Sequence, residues 1–152
     1  MVELELKYKI LRVSDTEEFK KMAYALYEED SNIYSITEEK LKATIQESVL
    51  NKEHLKIILL WLGDEIIGYC IVVTYWSNRL GGNLIHIDEI YLKPEFRNKG
   101  YGKCFMTNIP NMFLDAVAME IQVPPSNLRA LALYRRLNFA RRQDSSMLFI
   151  IE

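Results

Sequence analysis

A glycine-containing turn between Pro94 and Lys103 is the stretch of this sequence whose residue types best suit a chemical site. It reads Pro-Glu-Phe-Arg-Asn-Lys-Gly-Tyr-Gly-Lys, between a predicted strand and a predicted helix. Glycines let backbone amides approach a ligand closely, and a helix N-terminus favours negative charge. The turn therefore predicts a site for a phosphate or pyrophosphate, with a simple strand-to-helix turn as the alternative.

Two common phosphate motifs do not fit this turn. A P-loop would need glycine at Arg97 and a hydroxyl residue at Cys104. A dinucleotide fingerprint would need its third glycine at Phe105. The turn therefore differs from both.

The composition is that of one ordinary globular domain. The chain has 152 residues, of which 49% are apolar and 26% charged, and its net charge is −2. This charge argues against a nucleic-acid binder, and the longest apolar run, Ile57 to Leu62, is too short to span a membrane. No signal peptide is readable, which favours a cytoplasmic protein. Cys70 and Cys104 form no CxxC pair, and His54 and His86 have no metal-ligand spacing, so no metal site is expected.

Charge is distributed unevenly along the chain. Residues Ser14 to Glu47 hold nine acids, whereas Ser126 to Arg142 hold five arginines and no acid. Most such charges lie on solvated helix faces. The sharper interpretation is an anion site in the second half and a surface that favours cations in the first.

The elements that must position these residues follow from periodicity and end signals. Strands are predicted at 4–13, 55–62, 65–76, 84–92, 118–123 and 146–151. Four helices are predicted: one at about 15–29, one that is capped by Ser35 or Thr37, one at about 101–116 with an interruption at Pro110, and one at about 127–137. A capping box of Ser14 and Glu17 opens the first helix, and Asn138 stops the last one. The pattern predicts a single α+β domain over residues 1–152.

At the turn, the sequence resembles the GNAT superfamily of N-acetyltransferases. Arg97, Gly100 and Gly102 match its Arg/Gln-x-x-Gly-x-Gly/Ala signature. A second block, Asn127-x-x-Ala-x-x-Leu-Tyr134 and then Leu-Asn138-Phe, resembles the family's downstream pattern, with Asn138 where glycine is usual. The resemblance implies the GNAT fold, a mixed and mostly antiparallel twisted sheet with a splayed central strand pair, flanked by about four helices.

The resemblance also implies acetyl-CoA as co-substrate. Its pyrophosphate would lie on backbone amides of the turn, from Arg97 through Asn98, Lys99, Gly100, Tyr101 and Gly102 to Lys103, and Lys99, Lys103, Arg135 or Arg136 could reach its other phosphates. The pantetheine arm would lie along the main chain of Ile90 to Leu92, in a slot that a strand bulge opens toward Glu120 to Val123. Asn127 would bond the pantetheine or cap its helix.

For catalysis, the resemblance makes Tyr134 the general acid that protonates the CoA thiolate. A carboxylate must deprotonate the amine, since a free alkylamine is mostly protonated at neutral pH. Asp88 and Glu89 are the candidates, with Glu89 slightly ahead. Side chains alternate along a strand, so normally only one of the two carboxylates enters the slot, and a bulge could invert which one does. His86 is a third candidate.

The local resemblance to polyamine- and diamine-type members predicts a small cationic amine as acceptor. Glu28 and Glu29 at the end of the first helix, with Asp30, and Tyr34 in the following loop are the candidate acceptor contacts. The alternatives are a protein or peptide N-acetyltransferase and a non-catalytic acyl-CoA-binding module. Neither nucleic acid nor membrane is an expected partner, whereas homodimers are common in the family.

Overall fold

The fold was analysed in a computed structural model, which describes residues 4–29 and 35–151. In chain order the elements are β1 (Leu6–Ile10), α1 (Thr16–Glu29), α2 (Glu38–Leu50), β2 (Leu55–Leu62), β3 (Glu65–Ser77), β4 (Gly82–Leu92), α3 (Tyr101–Asn108), β5 (Ala116–Ile121) and α4 (Leu128–Arg136). The chain divides into two compact units, one ending at Gln122 and the other beginning at Val123.

The first unit is built on one five-stranded sheet in the order β1-β2-β3-β4-β5. The first four strands pair antiparallel, and a tight turn at Gly63, with φ +60°, joins β2 to β3. β5 pairs parallel to β4, as expected where a helix, here α3, provides the crossover. The sheet is therefore mixed and mostly antiparallel, which confirms the predicted α+β fold.

Both faces of this sheet are covered. Phe19, Met22 and Ala23 lie at helical spacing on α1 and pack on one face, in a core that includes Ile57 and Tyr69. On the other face, the ring of Phe105 from α3 lies 5.7 Å from that of Tyr8. Double-sided cover explains why β2 and β3 are nearly continuous apolar runs rather than alternating ones.

A β-bulge interrupts β4 at Asp88. Ile87 pairs with Val72 and Glu89 pairs with Ile71, so Asp88 is an extra residue between two neighbouring partners. Because Ile71 and Val72 face opposite sides of the sheet, Ile87 and Glu89 also do, although they are two residues apart. The bulge therefore turns Glu89 toward the face that α1 covers.

The pairing of β4 with β5 ends directly before the bulge. Their last partner pair within the described residues is Ile87 with Ile121, and β4 continues to Leu92 without a β5 partner. The predicted bulge is therefore present in β4, at Asp88 rather than beside Ile90 to Leu92, and the predicted divergence from Glu120 to Val123 stays a prediction.

Two predictions about local structure are wrong, and a third is confirmed only in part. Ser14 and Glu17 form no capping box, because Asp15 is buried and its carboxylate accepts hydrogen bonds from the backbone N–H and the Nε of Arg12, at 3.0 and 3.3 Å. The predicted interruption at Pro110 is present, since α3 ends at Asn108 and a 3₁₀ turn containing Pro110 follows, but the helix does not continue to residue 116. The predicted strand at 146–151 does not form, and its apolar side chains are exposed.

The second unit contains α4. Asn127 caps this helix, since its side-chain oxygen accepts a hydrogen bond from the N–H of Ala130 at 3.1 Å. Asn138 follows the helix with φ +71°, the left-handed conformation expected of a stop residue. The predicted helix at about 127–137 is thus confirmed to within a residue or two at each end.

Candidate active site

The signature turn delivers the chain from β4 into α3. Asn98 and Gly100 both adopt left-handed conformations, with φ +64° and +87°, and these reverse the chain before Tyr101 begins the helix. The first i to i−4 hydrogen bond of α3 runs from the N–H of Cys104 to the carbonyl of Gly100, at 3.1 Å. The amides of Tyr101, Gly102 and Lys103 precede that bond, so they are the donors that a helix N-terminus offers to an anion.

The two signature glycines are open on their side-chain positions. A Cβ added at Gly100 or at Gly102 would meet no atom of the described residues within 4 Å. Gly100 still requires glycine because of its positive φ, but Gly102 lies inside the helix, where alanine is intrinsically preferred. The space beside Gly102 that the described residues leave open allows the close approach of a bound molecule.

Arg97, the first residue of the signature, makes its contacts within the protein. Its backbone N–H donates to the carbonyl of Pro94 at 3.2 Å, and its Nε donates to the carbonyl of Leu92 at 2.8 Å. Its Nη2 donates to both carboxylate oxygens of Glu29 at 2.9 and 2.8 Å, and its guanidinium lies 5.4 Å from the centre of the Tyr91 ring. Arg97 therefore ties the end of β4 and the end of α1 to the start of the turn.

Glu89 lies at the centre of a cluster of two phenols and one carboxylate. The hydroxyl of Tyr27, on the last turn of α1, donates to Oε2 of Glu89 at 2.5 Å. The hydroxyl of Tyr69, on β3, donates to Oε1 at 2.8 Å. We call Tyr27, Tyr69 and Glu89 the phenol–carboxylate cluster.

The electrostatics of this cluster suit a proton acceptor. Burial raises the pKa of the Glu89 carboxyl, the two phenol hydrogen bonds act in the opposite direction, and the nearby charge of Asp88 raises it further. Burial also raises the pKa of Tyr69 far above its ordinary value, so this phenol remains a hydrogen-bond donor. A carboxyl whose pKa lies above its normal range is better matched to an amine proton at neutral pH.

The other two base candidates have different surroundings. Asp88 is exposed at the bulge. His86 lies on the same face as Glu89, and its Nδ1 is 2.9 Å from Oε1 of Glu120, which also accepts a hydrogen bond from the Tyr75 hydroxyl at 2.8 Å. Of the three, Glu89 alone combines partial burial with two fixed donors.

The predicted main-chain and cationic contacts lie along the same path. Ile90 and Leu92 are on the part of β4 that runs beyond its last β5 partner, and the carbonyl of Leu92 accepts the Arg97 bond. Lys99 and Lys103 are exposed on the turn and the first turn of α3. The order of strand, turn and helix that the motif implies is therefore present.

The second signature block lies in the second unit. Tyr134 is on α4, and the centre of its ring lies 5.6 Å from that of Phe139. The backbone N–H of Phe139 donates a hydrogen bond to the carbonyl of Tyr134 at 2.9 Å. Asn127 uses its side-chain oxygen in the helix cap. The capping alternative for Asn127 is thereby realised, and the acid role of Tyr134 stays a prediction.

The predicted acidic mouth is only partly described. Glu28 is exposed, and Glu29 forms the bidentate ion pair with Arg97. Asp30 and Tyr34 lie outside the described residues. The charge of Glu29 is thus already matched by a cation of the protein.

Sequence reasoning missed Tyr27, Tyr69 and Glu120 as candidate site residues. Tyr27 lies at the helical spacing that is typical of a core aromatic residue, and Tyr69 lies inside an apolar strand with no polar neighbour to mark it. Tyr27 is 62 positions from Glu89, and Tyr69 is 20. The single available signal was the position of Tyr27 four residues after buried Ala23, on the stripe of α1 that faces the sheet.

This chain belongs to the acetyltransferase (GNAT) family, whose sequence profile matches residues 19–139. Thialysine N-epsilon-acetyltransferase of Bos taurus is 31% identical over 77 residues, which are 49% of this chain and 45% of the bovine protein. The matched segment thus spans less than half of that relative's length.

Solved structures share the fold over nearly the whole chain. A possible acetyltransferase from Clostridium difficile 630 has a TM-score of 0.83 at 21% identity, covering 97% of this chain and 98% of that one. AAC(6')-Iy in complex with the bisubstrate analog CoA-S-monomethyl-acetylneamine has a TM-score of 0.75 at 14% identity, covering 97% and 99%. At these identities the likeness establishes the fold alone.

No helix in the described residues is long and apolar enough to cross a membrane. No group of three or more His, Cys, Asp or Glu side chains is arranged to hold a metal ion in residues 4–29 and 35–151.

Proposed function

We propose that the protein transfers an acetyl group from acetyl-CoA to a primary amine, with Glu89 as the general base. The observation that carries this proposal is the bulge at Asp88, which turns Glu89 toward the α1 face of the strand that leads into the signature turn. The base and the anion-binding turn are thus adjacent in one stretch of chain. Membership of the acetyltransferase (GNAT) family supports the same reaction.

The turn supplies binding. Backbone donors at the start of α3 and the open position at Gly102 suit the pyrophosphate of acetyl-CoA, and exposed Lys99 and Lys103 add positive charge. The main chain of β4 beyond Ile87 has no β5 partner within the described residues, so it can pair with the amide groups of the pantetheine arm. Glycine at 102 keeps the backbone accessible.

Glu89 prepares the nucleophile. An ammonium group gives a proton to the Glu89 carboxylate, directly or through one water, and the neutral nitrogen attacks the thioester carbonyl. The C–N bond forms, the C–S bond breaks and the electron pair leaves on sulfur. The new amide loses its second N–H proton to solvent, and Tyr134 donates its phenolic proton to the thiolate and regains one from water.

The acceptor is proposed to carry a second positive group. Glu28 and Asp88 are exposed carboxylates, one at the end of α1 and the other beside the base. Opposed charge concentrates a cation near the site, an effect that salt weakens. The bovine relative's name, thialysine acetyltransferase, supports an acceptor of this kind.

A charge-matched panel tests the function. Cadaverine, pentylamine and aminovalerate share one primary amine and differ in the distal group, which is an ammonium, a methyl and a carboxylate. Thiol release from acetyl-CoA should follow that order in kcat/KM, and the preference for cadaverine should shrink at high salt. The reverse order would contradict the proposal of a cationic acceptor. If the protein binds acetyl-CoA but releases no CoA thiol with any of the amines, the result favours the acyl-CoA-binding module instead.

The acid is tested separately with Tyr134→Phe, which removes one hydroxyl. Turnover should fall roughly 10²-fold or more while acetyl-CoA affinity is retained. Tyr24→Phe removes a phenol that donates to Glu38 on α2, away from the turn, and is the matched control. An unchanged kcat in Tyr134→Phe, with chemistry rate-limiting, would assign this phenol to packing.

A further inference from the structure

We infer that Tyr27 is the positioning residue of the proposed base, and that it fixes both the orientation and the proton affinity of Glu89 from the end of α1. This inference rests on the proposed function, because it needs Glu89 to be the base. Its direct evidence is the hydrogen bond of 2.5 Å from the Tyr27 hydroxyl to Oε2 of Glu89. The bond joins the last turn of a helix to the centre of the sheet.

Two donors on two oxygens orient a carboxylate. Tyr69 holds Oε1 from β3 at 2.8 Å, and Tyr27 holds Oε2 from α1, so rotation of the carboxylate breaks at least one bond. A carboxylate has about four acceptor positions, and two phenols occupy two of them. The remaining positions are the ones that an amine proton can reach.

The two phenols differ in what they depend on. Tyr69 is fully buried, with its ring 5.0 Å from that of Phe19 and 5.9 Å from that of Tyr91, so the core holds it in place. Tyr27 depends on the end of α1, and two residues later Glu29 forms the bidentate pair with Arg97. The last turn of α1 therefore contacts both the base and the first residue of the signature turn.

Among the described residues, the titratable groups that act on the Glu89 carboxyl are Tyr27 from α1, Tyr69 from β3 and Asp88 from β4 itself. Cys70 of β3 also senses the Glu89 charge, but it pairs with Ile90 and therefore lies on the other side of the sheet. The phenols favour the ionised carboxylate because they donate to it, whereas the charge of Asp88 disfavours it. Removing the Tyr27 hydroxyl therefore raises the pKa of Glu89.

The test compares Tyr27→Phe with Tyr24→Phe. Both variants remove one phenol from α1, but the Tyr24 hydroxyl donates to Glu38 on α2, at 3.2 Å. The Glu89 carboxyl is titrated by ¹³C NMR in protein carrying side-chain-labelled glutamate, with its signal assigned by its loss in Glu89→Gln. The pH profile of kcat/KM for cadaverine is measured on the same proteins.

The midpoint of the Glu89 signal should move to higher pH in Tyr27→Phe and stay in place in Tyr24→Phe. The acid limb of the pH profile of kcat/KM should move in the same direction. The rate should therefore be about tenfold lower at neutral pH, which corresponds to one hydrogen bond of ordinary strength, and it should recover at high pH. A merely structural loss would lower the rate by the same factor at every pH.

Two outcomes overturn the inference, and they are distinguishable. If Glu89→Gln abolishes the acid limb but Tyr27→Phe leaves the midpoint and the limb unmoved, Glu89 is the base and Tyr27 does not position it. If the acid limb persists in Glu89→Gln, the base role itself fails and the positioning role fails with it.

Discussion

The signature turn and the phenol–carboxylate cluster are built in opposite ways. The turn presents backbone amides and has no side chains at Gly100 and Gly102. The cluster consists of three side chains that α1, β3 and β4 bring together from distant parts of the sequence. A site made of backbone leaves a compact trace in the sequence, whereas a site made of long-range contacts leaves almost none.

The largest effect is expected for Glu89→Gln, which tests the cluster separately from the turn. This substitution keeps the shape of the side chain and removes its capacity to take a proton. Turnover should fall by about 10²–10⁴-fold, the usual contribution of a general base. Acetyl-CoA affinity, measured by calorimetry, should be unchanged because the turn is untouched. Asp88→Asn is the matched control at the neighbouring carboxylate, and equal losses in both variants would contradict a unique role for Glu89.

Gly102→Val makes the reciprocal test at the turn. The Cβ of the added side chain meets no atom within 4 Å in the part of the chain that the structure describes, so the fold should be retained, but the side chain would fill the space proposed for the ligand. Acetyl-CoA affinity should fall about 100-fold, as expected for an overfilled contact. Thr107→Val places the same side chain at an exposed position further along α3 and should bind normally. Unaltered affinity in a folded Gly102→Val protein would remove the turn from the cofactor site.

A third prediction concerns Gly68, where the neighbouring strand leaves no room for a side chain. A Cβ there would lie 2.4 Å from the carbonyl oxygen of Tyr91, so β3 and β4 would have to separate. Gly68→Ala should lower the free energy of unfolding by about 2 kcal/mol, in the range of an overpacked core. Urea denaturation measures it against Gly102→Ala, which should cost nothing. Equal stability of the two variants would show that the strands yield at Gly68.

The smallest expected effect is the pH dependence of stability at the cluster. Burial raises the pKa of Glu89 in the folded protein, so this carboxyl favours folding below its unfolded pKa and loses that contribution as pH rises through the folded value. The stability of Glu89→Gln relative to the parent protein should therefore increase from acid to neutral pH. Denaturation curves across that range measure the difference, and a constant difference would show that Glu89 titrates normally.

The sequence predicted the elements well where a local signal exists. Thr37 and Asn127 cap their helices as their types suggest, and Asn138 adopts the left-handed stop. The predicted capping of α1 is wrong because a buried ionic contact at Asp15 replaces it, whereas the predicted interruption of α3 at Pro110 is present. The missing strand at 146–151 has an alternating pattern, but no partner strand pairs with it in the described residues.

For the site, the motif located the turn but could not settle the base. Asp88 and Glu89 are adjacent, and which of them faces α1 depends on a register shift opposite Ile71 and Val72, where nothing in the local sequence marks a bulge. The phenol donors were beyond reach for a related reason. Tyr27 meets Glu89 only because α1 crosses the sheet at that place.

The bulge at Asp88 also makes the facing of β4 a matter of register. Without the bulge, strict alternation after Ile87 would place Asp88 opposite Ile71, and every residue from Glu89 to Leu92 would exchange sides of the sheet. Ile90 would then meet the phenols of α1 and β3, while Glu89 would enter the opposite face with Ile87. Deleting Asp88 itself would have no such effect, because Ile87 would still pair with Val72 and Glu89 with Ile71.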